Sequence, residues 1–239
     1  MALNAKKVAG GNTAGAQQEP IEEGTYPTRV VQIIDLGVQP RRAFDGKPKP
    51  PIQHIRITYE FLDEFCLDED GNEMEDKPRW LSEDIPFYNL NADRATSTLR
   101  YKAIDPDDAF DGDFTQLAGS ACLVTVVNNP GKGKNAGKIY NNIAGVATMR
   151  KRDKDKAVEL VNESLVFLID EPDKAAWGKL PQWLQDKIKG GIEFKGSALD
   201  VALSGGEAPK KEAKPEPDYD EDIEGEAAGG VDTDEDKPW

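Results

Sequence analysis

Alternating apolar and polar side chains predict the second strand of this sequence. The alternation covers residues 52–62, where the apolar positions are Ile55, Ile57, Tyr59 and Phe61. A period of two is typical of a strand with one buried face. Further strands are predicted at 25–36, which is rich in β-branched residues, and at 79–87, 121–128, 138–149 and 165–169. The Asp70-Gly71 pair predicts the turn of a long acidic hairpin between the second and third strands.

Two segments have helical patterns instead. Residues 91–103 begin with asparagine and carry Ala, Leu and Arg at helical spacing, and residues 180–189 have Pro181 in the first turn, a position that proline favours. The chain is therefore predicted to be mainly β. We expect a five- to six-stranded, OB-fold-like Greek-key barrel with one inserted helix and a short C-terminal helix.

Residue composition predicts three regions. Residues 1–20 are rich in Ala, Gly and Gln, and residues 205–239 are rich in Pro, Glu, Asp, Gly and Ala. Neither region has enough large apolar side chains to offset the entropy of ordering, so both are predicted to be disordered. Residues 21–204 are predicted to form the folded domain.

The composition excludes several classes of protein. The chain of 239 residues has two cysteines and one histidine, too few for zinc fingers or histidine-rich metal centres. It has no apolar run long enough to span a membrane and no signal-peptide pattern. We therefore expect a soluble, cytoplasmic protein, with no metal, cofactor or membrane partner. The net charge of −15 further suggests that it avoids polyanions.

The charge is unevenly distributed, and this changes the last inference. Residues 207–239 hold 13 acidic and four basic side chains, and residues 60–76 hold nine acidic and no basic ones. The rest of the chain has 26 basic and 23 acidic residues. Within it, residues 29–56 and 132–156 are clearly basic, the latter with eight Lys or Arg against two Asp. Such clusters suit phosphate backbones even in an acidic protein.

Basic and aromatic residues occur together on or beside the predicted strands. This combination is typical of single-stranded nucleic-acid binding, because cations neutralise phosphates and aromatic rings stack on bases of any sequence. The candidate phosphate ligands are Arg29, Arg41, Arg42, Arg56, Lys132, Lys134 and Lys138. The candidate stacking residues are Trp80 and Tyr140.

Two segments resemble a nucleotide-binding motif and a calcium-binding motif, but neither matches its motif in full. Five residues separate Gly131 from Gly137, where a Walker A loop has four between its glycines, and Ile139 replaces its Ser or Thr. Asp68, Asp70 and Gly71 resemble a calcium loop, but Lys77 occupies the position of the bidentate glutamate. No ordered carboxylate pair with a neighbouring lysine stands out. The sequence therefore predicts no catalytic residues and no metal site.

The C-terminus combines acidic residues with a terminal aromatic side chain. The acids Asp234, Glu235 and Asp236 precede Pro238 and Trp239. In a disordered tail this is a short docking peptide, with an aromatic anchor and flanking charges that steer a partner. The same polyanion can compete with nucleic acid for the basic residues of the protein.

The tail resembles the acidic tips of bacterial single-stranded-DNA-binding proteins, which end in Pro-Phe where this chain has Pro238-Trp239. The body is similar to the bacteriophage proteins of this function, in residues 23–37, 117–124 and 137–143. The resemblance covers about residues 20–150 and the tail. It implies an oligonucleotide-binding fold, sequence-independent strand binding and recruitment of replication or recombination proteins through the tail.

The leading hypothesis is therefore a bacteriophage single-stranded-DNA-binding protein, not an enzyme, that coats replication and recombination intermediates and can form homo-oligomers. The alternative is an acidic interaction protein, a DNA mimic or a virion-assembly factor, without affinity for strands. In that case the acids of 60–76 and of the tail would contact a basic protein partner.

Overall fold

The fold is a curved β-sheet with helices packed against it, described by a computed structural model for residues 18–41, 43 and 46–205. The strands are β1 (Gly24–Gln39), β2 (Ile52–Leu67), β3 (Glu73–Pro86), β4 (Ala121–Pro130), β5 (Ile139–Thr148) and β6 (Leu165–Phe167). The helices are α1 (Thr96–Ile104), α2 (Lys151–Lys154), α3 (Lys174–Lys179), α4 (Gln182–Lys189) and α5 (Ala198–Ser204). The predicted N-terminal arm (1–20, apart from 18–20) and almost all of the predicted tail lie outside the described residues.

The strand order is β3-β2-β1-β4-β5, with every pair along it antiparallel, and α1 lies between β3 and β4 in the chain. This is the order of an OB-type Greek-key barrel. Strands β3 and β5 lie in contact at the two ends of this order, but the described residues form no hydrogen-bonded ladder between them. The fold class predicted from the sequence is therefore confirmed, as a barrel that is open at this seam.

Strand β1 organises the sheet because it pairs with three partners. Its first half pairs with β4 from Gly24 to Arg29, and its second half pairs in parallel with β6 from Gln32 to Ile34. Strand β2 pairs with the opposite edge of β1 from Thr28 to Gln39, with bulges near Val30 and Asp35. Bulges bend a strand and increase its twist, so one long strand can serve both the barrel and the segment that follows it.

The sheet is buried on both faces, and each face has its own hydrophobic core. The interior core holds Val30, Ile57, Tyr59 and Phe61 with residues of β4 and α1. The second core lies between the outer face of β1 and the segment 157–204, which we call the C-terminal layer. It joins Ile34 and Leu36 to Phe167, Trp177, Leu184 and Ile188, among others.

Two local predictions need correction. The polar face of β2 was expected to be exposed, yet Arg56, Thr58 and Glu60 are buried, because the C-terminal layer covers them. Helix α1 begins at Thr96 rather than at residue 91. The side chain of Asn89 accepts a hydrogen bond from the Asn91 amide at 2.9 Å, and such local bonds favour a turn over a helix.

The two cysteines differ in burial, which gives a test of the fold. Cys122 in β4 is fully buried, and burial raises the pKa of its thiol to about 12. Cys66 in β2 is only half-buried. We expect a thiol reagent to modify Cys66 in the native protein and Cys122 only after unfolding, because the thiolate is the reactive form. Equal labelling rates for both thiols in the native protein would contradict this placement of β4.

Candidate nucleic-acid interface

Three of the predicted phosphate ligands meet at the tip of the β4–β5 hairpin. Lys132, Lys134 and Lys138 are exposed on the connection 131–138, which we call the lysine loop. The Gly131 amide donates to the Lys138 carbonyl at 2.9 Å and closes the loop. Inside it, residues Gly133–Asn135 form one 3₁₀ turn. Positive φ angles of 60° at Gly133 and 95° at Gly137 are favourable only for glycine.

A second group of cations lies at the opposite end of the hairpin. Residues 150–156, which we call the basic segment, follow β5 and include the short helix α2. Its cations Arg150, Lys151, Arg152 and Lys156 are exposed, and Lys154 is half-buried. Asp153 accepts a hydrogen bond from Arg150 Nε at 2.7 Å, so this acid offsets part of the charge. The basic character of residues 132–156 was visible in the sequence, but its division between the two ends of one hairpin was not.

The two basic groups are separated by the length of β5. This strand has ten residues, and at about 3.3 Å per residue it spans about 33 Å. The outer face of β5 near the lysine loop carries Tyr140 and Asn142, both half-buried. A polynucleotide lying along the hairpin would therefore meet cations at both ends and an aromatic ring near one of them.

Tyr140 lies directly under the lysine loop. A Cβ atom placed on Gly131 would be 2.8 Å from Tyr140 Cε2 and 2.3 Å from the Asn135 carbonyl oxygen. Both distances are shorter than a real Cβ contact allows, so the backbone reaches the ring only because residue 131 is glycine. The Tyr140 hydroxyl and the Asn142 carbonyl oxygen Oδ1 are buried, and neither has a hydrogen-bond partner among the described residues.

Trp80, the other predicted stacking residue, lies on the outer face of β3. Its indole Nε1 donates to Glu60 Oε2 at 3.0 Å, and the ring is half-buried. Glu60 also accepts hydrogen bonds from the Val161 amide at 2.7 Å and from Asn162 Nδ2 at 2.7 Å. The start of the C-terminal layer is thus fixed beside Trp80. A stacking role for Trp80 stays a prediction, and the interface on the β4–β5 hairpin does not require it.

Arg56 is buried beneath the same layer. Its Nη1 donates to Asp84 Oδ1 at 2.8 Å, and Lys187 of α4 donates to Asp84 Oδ2 at 2.6 Å. The guanidinium carbon lies 4.7 Å from the centre of the Trp183 ring, a distance typical of a cation–π contact. Phosphates would reach Arg56 only after α4 moved, so Arg56 is not counted among the residues of the interface.

Arg29 is also occupied by contacts within the protein. Its guanidinium donates to three carbonyl oxygens, those of Gly119, Ala157 and Val158, at 2.8–3.0 Å. A longer contact of 3.4 Å joins it to the Glu159 carboxylate. These bonds tie the first residues of the C-terminal layer to β1, which gives Arg29 a structural role in this conformation.

The remaining predicted residues are placed only in part. Arg41 is half-buried in the connection between β1 and β2, at the far end of β1 from the lysine loop. Arg42 lies outside the described residues, as do the tail residues Asp234, Glu235, Asp236, Pro238 and Trp239. The structure therefore brings together Lys132, Lys134, Lys138 and Tyr140, and it separates them from Arg29, Arg56 and Trp80.

The sequence predicted the strand at 165–169 and the helix at 180–189, but not that the C-terminal layer would cover the outer face of the sheet. In OB folds the outer face of strands 2 and 3 binds oligonucleotides, and here residues 157–189 cover that face with the bonds described for Glu60, Asp84 and Arg29. The signal was present as Trp177, Leu184 and Ile188, which are apolar residues in an otherwise polar segment. What the sequence did not show is that these side chains would pack on β1.

Other kinds of site find little support in the described part of the chain. No group of His, Cys, Asp and Glu side chains among residues 18–41, 43 and 46–205 has an arrangement suited to a metal ion. None of the helices in these ranges combines the length and apolar character needed to cross a membrane.

Comparisons with known proteins do not identify the chain. It matches no protein-family model, and no curated protein is significantly similar to it. The case for a function therefore depends on the residues and their geometry.

Proposed function

We propose that the chain is a phage-type single-stranded-DNA-binding protein that coats and protects strands in replication or recombination without catalysis. One observation carries the proposal. The β4–β5 hairpin of an OB-fold-like barrel presents exposed lysines at its tip and an exposed basic segment at its base. A surface of this kind binds the backbone by charge and bases by stacking, and both contacts tolerate any sequence.

The dimensions of the hairpin agree with this role. A span of about 33 Å along β5 is compatible with a site of several nucleotides, and OB folds occupy about 4–16 nucleotides each. Eight basic and two acidic residues lie between positions 132 and 156. The local charge therefore favours a polyanion although the whole chain is acidic.

The tail supplies the second part of the proposal. Residues 207–239 carry 13 acidic and four basic side chains, so they can compete with DNA for the cations of the hairpin. Strand binding would release the tail, and its terminal Pro238-Trp239 pair would then recruit replication or recombination proteins. An aromatic anchor with flanking charges is the usual composition of such a docking peptide.

A titration with fluorescent oligo-dT tests the proposal. We expect binding at low salt that weakens steeply as salt is added, and tighter binding by a chain that lacks residues 207–239. No binding at low salt by the truncated chain would contradict strand binding. Equal affinities for the two chains would contradict competition by the tail while leaving strand binding intact.

The second candidate is the acidic interaction protein, and the β2–β3 hairpin is the observation that favours it. The side chains of Glu69, Asp70, Glu73, Glu75 and Asp76 are all exposed at or near its turn. A basic protein partner could dock there. In this case neither form of the chain would bind oligo-dT, and replacing these five acids with the corresponding amides would abolish partner binding.

A further inference from the structure

The lysine loop covers an aromatic ring at a cost to the protein. Tyr140 and Asn142 lie two residues apart on one face of β5, and each has a buried oxygen for which the described residues offer no hydrogen-bond partner. Such atoms are rare in native structures, because burial removes their bonds to water without replacement. One of them belongs to the ring beside Gly131, which indicates that the closed conformation is not the one in which Tyr140 makes its best contacts.

The loop is built so that it can leave this position. The backbone of the loop is closed by one hydrogen bond, from the Gly131 amide to the Lys138 carbonyl, and by three short-range turn bonds around Asn135. Three of its eight residues are glycine, at positions 131, 133 and 137. Among its side chains only Asn135 is buried. Little apolar surface therefore holds the loop against β5.

The cations that would bind a strand are on the loop itself. Lys132, Lys134 and Lys138 are exposed, so a phosphate backbone can bind them while the loop is still closed. A strand that pulls these lysines outward would uncover the ring beneath them. The same short segment of the protein would then bind a base of the strand through the Tyr140 ring and the phosphate backbone through the lysines.

We infer that the lysine loop is a lid over a nucleobase-binding site whose floor is the Tyr140 ring, closed in the free protein and opened by a single strand. The inference rests on the proposed function and adds the site at which a base stacks. In the open state the ring is free to stack, and the Tyr140 hydroxyl and Asn142 oxygen can bond to water or to the base. The free energy of these new contacts offsets that of the backbone hydrogen bonds lost when the loop opens.

Substitution of Gly131 tests the lid. A methyl group there would be 2.3 Å from the Asn135 carbonyl oxygen, so Gly131→Ala disfavours the closed loop. We expect the variant to bind a fluorescent dT20 oligonucleotide about fivefold more tightly than the wild type or better, because the apparent Kd varies inversely with the open fraction. The matched control is Gly178→Ala in α3, where nothing lies within 4 Å of the added carbon. It should bind like the wild type.

The gain should depend on the ring. In a Tyr140→Leu background we expect weaker binding, by about tenfold for one lost stacking contact, and no benefit from Gly131→Ala. If Gly131→Ala binds no tighter than the wild type, or if its gain survives the loss of Tyr140, the lid is contradicted.

Hydrogen exchange in the wild type gives a second readout that needs no substitution. The amides of Gly131, Asn135, Ala136 and Lys138 are hydrogen-bonded in the closed loop, so we expect them to exchange faster when dT20 is bound. Slower exchange of these amides in a complex that does form would overturn the lid and leave the proposed function standing. Absence of any dT20 binding would remove the proposed function, and the lid with it.

Discussion

Replacing Lys132, Lys134 and Lys138 with glutamine is expected to weaken binding to oligo-dT by about 10- to 100-fold near 0.1 M salt. Each phosphate contact on a single strand contributes about 0.7 to the slope of log K against log salt. Loss of three contacts should therefore flatten that slope by about 2. A salt series of fluorescence-anisotropy titrations measures both quantities.

The matched control removes the same charge elsewhere. Lys174, Lys189 and Lys195 are exposed on the C-terminal layer, and their replacement with glutamine makes the net charge equally more negative. We expect this control to change the slope by much less. Equal losses for the two triple variants would mean that net charge governs binding, and the lysine loop would then have no special role.

Replacing Arg100 with leucine is expected to destabilise the fold by about 3–5 kcal/mol, because it leaves the charge of Glu83 buried without its partner. Arg100 of α1 makes two bonds to Glu83 of β3, at 2.8 Å and 3.0 Å, and Tyr59 of β2 donates to the same carboxylate at 2.9 Å. Burial alone would lower the pKa of Arg100. The hydrogen bonds to Glu83 and the negative charge of Glu83 together have a larger and opposite effect, so the pKa is raised. The ion pair thus joins the inserted helix to two strands of the barrel.

Unfolding in guanidinium, monitored by circular dichroism, measures the stability lost in the Arg100→Leu variant. The control is Lys102→Ala on the same helix, which breaks an exposed ion pair with Asp93 and should cost less than about 1 kcal/mol. The double variant Glu83→Gln with Arg100→Leu should recover part of the stability, because glutamine is neutral and still accepts the bond from Tyr59. An Arg100→Leu variant as stable as Lys102→Ala would contradict the buried ion pair.

The parts of the fold that the sequence predicted depend on short-range patterns. Alternation around Ile55 and Ile57, the turn at Asp70-Gly71 and the glycines of the lysine loop each act within a few residues. They were sufficient for the mainly-β class and for the two hairpins. The fold class follows from these patterns because the alternation within each strand indicates which of its faces is buried.

The parts that the sequence did not predict depend on contacts between distant residues. Arg56 alternates with isoleucines as an exposed residue would, yet in the folded chain it bonds to Asp84, 28 residues away, and Asp84 in turn accepts a bond from Lys187, a further 103 residues along the chain. Glu60 likewise receives the Val161 amide from 101 residues away. Residue types and local spacing give no information about such partners, so the basic residues under the C-terminal layer could not be distinguished from those on the exposed hairpin.

The acidity of the chain and its proposed affinity for DNA are compatible because the charges are segregated. Residues 60–76 of the β2–β3 hairpin and residues 207–239 of the tail hold 22 of the 45 acidic residues. The described cations of the β4–β5 hairpin lie at its two ends. At physiological salt, interactions between exposed charges are screened beyond about 8 Å, so a strand on the hairpin responds mainly to the charges nearest to it.

Photo-cross-linking tests most directly the claim that strands bind along the β4–β5 hairpin. The full chain is irradiated in complex with an oligonucleotide that carries 5-iododeoxyuridine, and the modified peptides are identified by mass spectrometry. We predict adducts at Tyr140 and in the adjoining residues 131–142. Adducts confined to Trp80 and the C-terminal layer, with none between residues 131 and 156, would contradict this account.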